Sequence, residues 1–290
     1  MNQVAQVPGF DPGSVKLTVN KWIVGAVQQA AARVTDALDA YKFNEAANGI
    51  YQFAWNSFCD WYLEFTKPIL NGEDEAAKAE TRATTAWVLD RILHLLHSVM
   101  PFITEALNEK LGGAGQTLIS APWAEPKASL IDAAAGDEME WVVRLISNIR
   151  TVRSEMNVPP SAQLPLLLKD ANDVTRQRLA THRDLILRLA RLSGVEATSD
   201  EAPKGSAQAV LDEATLILPL ADFIDVEKEK ARLAKEIGKL EGEITKIDAK
   251  LSNKNFVDKA PEEVIEEQRD RRADADATRA KLAEALTRLG

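Results

Sequence analysis

Apolar residues return every three to four positions along most of this chain, which is the spacing of one face of an α-helix. Between Ser14 and Tyr41 the repeat runs through Trp22, Ile23, Ala26, Val27, Ala30, Val34, Ala37 and Leu38. A second helix is predicted over Phe43 to Leu70, ended by Asn71-Gly72, because glycine accepts the left-handed conformation that closes many helices. A third is predicted over residues 73–111, bent before Pro101, where an amide donor is lost, and ended by Gly112, Gly113 and Gly115. Residues 116–136 read as a connector, with Ile119 to Trp123 laid across the other helices. A fourth helix runs from Asp137 to about Met156 and stops at Pro159-Pro160. Four such helices make a bundle.

The period then changes. Leu164 to Leu168 reads as a short strand, Asp173 to Leu192 as an arginine-rich amphipathic helix, and Val195 to Thr198 and Ala214 to Leu218 as further strands. After residue 225 a heptad seam appears: Val226, Leu233, Ile237, Leu240, Ile244, Ile247 and Leu251. Residues 252–261 form a turn. A return helix offers Ile265, Gln268, Arg272, Ala275, Arg279, Leu282, Leu286 and Leu289. The expected architecture is mainly α: an irregular lead-in (1–14), a helical bundle (15–160), a small α+β junction module (161–225) and an antiparallel coiled-coil hairpin (226–290). The hairpin is expected to bury little against the bundle.

Composition narrows the possibilities. Hydrophobic residues make up 46% of the chain, enough for a core. There is no apolar run long enough for a membrane span, and a single cysteine excludes an internal disulfide and fits a reducing cytoplasm. The net charge of −9 argues against general affinity for nucleic acid. Its distribution changes that view. Residues 141–195 hold nine Lys/Arg against four Asp/Glu, whereas residues 1–140 hold ten against eighteen. A local basic strip can hold phosphates on an acidic body.

The segment from 43 to 70, FNEAANGIYQFAWNSFCDWYLEFTKPIL, concentrates two Trp, two Tyr, four Phe and the only Cys. Its Phe-Cys-Asp-Trp-Tyr-Leu-Glu string, followed by Thr-Lys-Pro, resembles the anticodon-binding bundle of valyl-tRNA synthetases. LTVNKWIVG (17–25), HSVMPFITEAL (97–107), RLISNIRTVRSEMNVPP (144–160) and LEGEITKIDAKLSNKNFVDKAPEEVIEEQ (240–268) resemble further stretches of that family in the same order. Isoleucyl and leucyl enzymes share parts of the earlier segments. Ser98 stands where the family usually has Pro, and Asn108 where it usually has Trp. The lost Trp is read as a packing surface relaxed or missing because it faced an absent catalytic body. No His-Ile-Gly-His, Lys-Met-Ser-Lys-Ser or Gly-rich phosphate loop is present. The resemblance therefore implies a C-terminal portion, beginning just past the catalytic core, that binds tRNA(Val) and is inactive alone. It implies valine attachment with ATP and magnesium only for the complete enzyme, and no cofactor in this chain. A separate catalytic chain is a candidate partner. The chain itself is expected to be a cytoplasmic monomer. The alternative is a helical module that docks a protein and has lost tRNA binding.

Candidate chemistry is sparse. His94 and His97 sit three apart on a helix, but no Cys or third His lies near, so packing is the expected role and no metal site is assigned. Cys59 is expected to be a buried, inert thiol, and no catalytic residue is assigned. The aromatic stripe is read mostly as core, with one or two members free to stack on unpaired anticodon bases. Asn148, Arg150 and Arg153 are candidate RNA contacts, since a guanidinium forks onto phosphate or a guanine edge; structural ion pairs are the competing reading. The family's hairpin reaches the tRNA elbow, which implies roles for Lys246, Lys250, Lys254 and Lys259.

Overall fold

The computed structural model describes residues 7–111, 117–253, 256 and 261–289. The chain divides into two compact units, residues 1–143 and 144–290.

The first unit is helical. Its elements are α1 (Thr18–Asp39), α2 (Phe43–Gln52), a π-helical stretch (Phe53–Tyr62), α3 (Leu63–Asn71), α4 (Glu75–His97) and α5 (Pro101–Leu111). The opening turns of α6 (Ala133–Glu155) also belong to it. α1 and α4 run the same way. Near their starts Glu80 of α4 accepts the Lys16 and Leu17 amides at 3.1 and 2.9 Å, satisfying donors that α1 leaves without an intrahelical partner. Near their ends Ala31, Val34 and Ala37 share a core with Leu95, Ala46 and Ile50. Trp123 of the connector covers this core and donates from Nε1 to Thr35 Oγ1 at 2.9 Å, as expected for a segment laid across the bundle.

The predicted second helix is one continuous rod whose middle is wound as a π-helix. That winding turns Phe53, Phe58, Tyr62 and Phe65 into the core. Tyr62 donates to Asn20 Oδ1 at 2.9 Å and lies 3.2 Å from Thr85 Oγ1, while Asn20 Nδ2 donates to Glu80 Oε1 and Thr81 Oγ1. The rod ends at Gly72, but not by the left-handed route: Gly72 is extended (φ −73°, ψ −168°). A Cβ there would meet the Pro68 carbonyl oxygen at 3.2 Å. The predicted third helix breaks into α4 and α5 before Pro101, as expected. The glycines proposed to end it lie outside the described residues.

The second unit is built on a four-stranded sheet in the order β2-β1-β4-β3. The strands are β1 (Leu164–Lys169), β2 (Leu192–Thr198), β3 (Ser206–Leu211) and β4 (Ala214–Pro219). β1 pairs in parallel with β2 (Leu166 opposite Val195) and antiparallel with β4 (Leu168 opposite Leu216). The parallel pair requires a crossover, supplied by α7 (Asp173–Thr181) and α8 (Arg183–Ala190). The single helix expected over 173–192 is thus two, broken at His182, and Leu192 already belongs to β2. β3 was not expected. Its inward residues include Ala207 and Ala209, too small to register as a hydrophobic alternation, and Val210 on its outer face is 71% exposed.

α9 (Val226–Leu251) and α10 (Glu262–Arg288) form the expected hairpin. Every predicted seam position is buried or half-buried. Its root is not free, contrary to expectation. Leu233, Ala285 and Leu289 are buried at its base. Asn157 donates to Glu229 at 3.0 Å, Arg232 donates to the Glu155 carbonyl at 3.3 Å, and Arg288 pairs with the Glu155 carboxylate at 2.5 Å. The base of the arm is therefore part of the second unit's core.

Candidate nucleic-acid interface

Five described non-glycine residues have positive φ: Tyr41, Asn157, Asp170, Arg191 and Asp212. Asn and Asp tolerate this region because their short side chains bond locally. Tyr and Arg gain no such relief, and the conformation costs each about 1 kcal/mol. These two residues stand at two exposed surfaces.

Tyr41 follows the end of α1 and is 82% exposed, edge-on to the exposed Phe43 with ring centroids 6.4 Å apart. The shared core of α1 and α4 puts the start of α5 at the same end of the bundle, where Phe102 is 91% exposed. α5 is reversed in polarity. Thr104 and Asn108 face inward, and Thr104 is within 2.9 Å of His97 Nδ1. Phe102, Ile103 and Leu107 face solvent. Asn108 is thus a buried residue and does not mark a vacated outer surface. Tyr51 of α2 and Trp55 of the π-helical stretch are exposed and stacked on one another (6.3 Å, 4°). Phe53, Phe58, Tyr62 and Phe65 are core, half of the stripe's eight aromatics rather than most of them, and Phe43, Tyr51 and Trp55 face water. Cys59 is likewise exposed rather than buried. Partial desolvation and the neighbouring Asp60 push its thiol upward in pKa, so it is held in the unreactive form.

Arg191 caps α8 in the second unit, at one wall of a groove of about 640 Å³. Arg150, Arg153 and Arg191 all line this groove, and no Asp or Glu is among its lining residues. Arg153 is the floor. It is buried and donates to the carbonyls of Arg191, Pro159 and Ala162 at 3.4, 3.3 and 2.8 Å. Burial, and then the neighbouring Arg191 charge, lower its pKa. Arg150 is exposed on the rim and its guanidinium donates twice to the Leu189 carbonyl. Arg191 is exposed and donates to the Pro160 carbonyl. The structure therefore places Arg150 and Arg153 on one groove, each donating to backbone carbonyls. It does not bring Asn148 to them: its amide donates to the Arg144 carbonyl one turn back, and it does not line the groove.

On the arm, Lys246 and Lys250 are exposed on α9 with no ion-pair partner among the described residues. Across the hairpin, Arg271 and Arg272 are bound to Glu243 and Asp248. Lys254 and Lys259 lie outside the described residues. His94 and His97 each commit Nδ1, to the Asp90 carbonyl and Thr104. The strand-to-helix turn after β1, which leads into the crossover, carries Asp170 and Asp173 where a phosphate loop needs glycines.

A bundle with an exposed aromatic end, a basic groove and a coiled-coil arm define a class. The chain belongs to the family of anticodon-binding domains of tRNA ligases, whose family model matches residues 20–168. The arm gives the particular kind: residues 225–290 match the valyl tRNA synthetase tRNA binding arm. Full-length relatives agree. The valine–tRNA ligase of Caulobacter vibrioides is 55% identical over 293 residues, covering 100% of this chain and 32% of its own length. That of Mesorhizobium japonicum is 49% identical over 293 residues (100% and 31%), and that of Granulibacter bethesdensis 47% over 292 residues (99% and 32%). The chain thus spans about a third of the length of the curated relatives it matches.

Proposed function

We propose that this chain binds tRNA as the C-terminal portion of a valine–tRNA ligase, gripping the anticodon with the aromatic end of its bundle and the elbow with its arm. The observation that carries this is the exposure of Tyr41, Phe43 and Phe102 at one end of a bundle of this family. Single-stranded bases are read by stacking on aromatic faces, worth about 1–3 kcal/mol per base. Water does not favour three such rings at one end, and Tyr41 holds its place at a conformational cost. Arg150 and Arg153 supply positive potential, and Lys246, Lys250, Lys254 and Lys259 do so near the arm's tip. Asn148 is the weakest candidate, since its amide is spent within its own helix. The chain performs no chemistry. Valine activation with ATP and magnesium belongs to the other two thirds of the complete enzyme.

The test is binding of tRNA(Val) and of its isolated anticodon stem-loop at two salt concentrations. Tyr41→Ala with Phe102→Ala should weaken both by about 10- to 100-fold and leave the salt slope unchanged, because stacking releases no counterions. Wild-type binding that is absent, or that ignores salt, would overturn the reading.

A further inference from the structure

We propose that the outer face of the rod formed by α2 and the π-helical stretch binds an unpaired RNA base, with Trp55 as its stacking platform and the amides of Asn48, Gln52 and Asn56 as partners for its edge. This rests on the tRNA-binding reading above. It adds a second base site, along the side of the bundle rather than at its end.

Helical spacing builds the face. Tyr51 and Trp55 lie four apart, and so do Asn48, Gln52 and Asn56, so an aromatic row and an amide row run side by side. All five side chains are exposed. The two rings are parallel within 4°, with centroids 6.3 Å apart. The amides are chained: Gln52 Nε2 donates to Asn48 Oδ1 at 3.5 Å, and Asn56 Nδ2 donates to Gln52 Oε1. A carboxamide carries two N–H donors and an oxygen with two lone pairs. The chain of amides therefore keeps spare donors along the row and the Asn56 oxygen at its end.

Composition selects the ligand. No charged residue lies between Glu45 and Asp60. At the chain's overall 27% of charged residues, that stretch would hold about four. A phosphate finds no cation on it. A flat, uncharged ring with donors and acceptors along its edge finds both an aromatic face and amides, which is how unpaired bases are read. The face is also made at a cost to the helix. Asn is among the poorer helix formers, and Lys, Glu or Ala would serve a solvated surface better. The winding changes from α to π directly after Gln52, in the middle of both rows, and π turns occur frequently at functional sites. Position fits the same ligand. Tyr51 lies eight residues along the rod from Phe43, about 12 Å, which is the rise of three to four stacked nucleotides. A strand that meets the aromatic end therefore reaches this face, and both lie within the anticodon-binding family match.

The test uses the full chain and the anticodon stem-loop of tRNA(Val). A base stacked on Trp55 quenches its indole, so the stem-loop should dim wild-type emission more than that of Trp55→Phe, whose ring keeps the platform. Tyr51→Ala with Trp55→Ala should weaken binding about tenfold and leave the salt slope unchanged. Trp55→Phe should keep most of the affinity. Gln52→Met retains the side chain's length without its amide and should weaken binding while the quench at saturation stays. Replacing each loop base in turn by an abasic ribose finds the partner. At one position the loss should vanish in the double Ala variant, and that position should differ from the one coupled to Tyr41 and Phe102. Equal quench in wild type and Trp55→Phe, or no loop position coupled to the pair, overturns the site, and the first readout holds even if the double variant melts early. Affinity that survives a wholly abasic loop overturns base recognition. A wild-type dimer that the double variant turns monomeric, with RNA affinity unchanged, gives the face to a second copy. If wild type binds no stem-loop, the broader reading fails first and takes this one with it. If it binds and only Tyr41 and Phe102 matter, this face alone fails.

Discussion

Tyr62 shows what one residue does in this fold. Its ring is fully buried and its hydroxyl joins α1 to α4 through Asn20 and Thr85. Tyr62→Phe keeps the ring and leaves buried polar atoms short of a partner, so it should cost about 1–2 kcal/mol near neutral pH, read by chemical denaturation. The sign reverses in alkali. Burial holds the phenol proton well above its ordinary range. The folded state therefore keeps a proton that the unfolded state sheds above about pH 10, and stability falls as pH rises from there. Phe cannot ionise, so the gap between the two proteins should narrow above pH 10 and then invert. A gap independent of pH would show that Tyr62 ionises as freely in the fold as out of it. Tyr41 is the opposite case, exposed and strained. Its role was not legible in the sequence, because a left-handed backbone leaves no trace when the residue is not Gly, Asn or Asp. Arg191 was missed for the same reason.

At the scale of elements, periodicity carried the long helices, the break before Pro101, the connector and the whole heptad seam. It failed where helical and non-helical readings share a pattern. A π-helical turn keeps an aromatic-rich face much as an α-helical one does, so the middle of the 43–71 rod reads as ordinary helix. β3 escaped because alanine fills a tight layer without announcing it. α5 misled through Asn108: a polar residue on a helix reads as outward, yet here Phe102 is the outward residue. The arm's root was missed because Glu229, Arg232 and Arg288 look like solvated coiled-coil charges. That error changes an experiment. Removing residues 226–290 whole would strip Leu233 and Leu289 from the second unit, at about 1.5–3 kcal/mol for each buried leucine. Its unfolding transition should collapse. Excising only residues 241–277 and closing the gap with a short glycine-rich loop should leave that transition in place. The trimmed protein should lose affinity for full-length tRNA and keep it for the anticodon stem-loop. Equal loss on both RNAs would count against an elbow contact, and melting of the trimmed protein would count against a self-sufficient root.

For the whole molecule, the family follows from ordered motifs and matching models, and the missing two thirds of the relatives' length follows from the same comparison. The candidate site was legible only in part. Arg150 and Arg153 stand out as basic residues beside a helix stop, whereas their meeting with Arg191 depends on a crossover that brings the end of α8 back to the end of α6. Valine-dependent ATP–pyrophosphate exchange by this chain should equal a no-protein control, and exchange above it would contradict the division of labour proposed above.

The anchored root has a mechanical consequence. α9 has 26 residues, which at 1.5 Å each is a rod of about 39 Å. A tilt of one degree at its base moves its far end by about 0.7 Å on that length. Three degrees moves it about 2 Å, roughly the difference between a hydrogen bond and none. Glu155, Arg232 and Arg288 therefore act as the fixed end of a lever, and loosening any of them should blur where the arm touches RNA without altering any residue that does the touching.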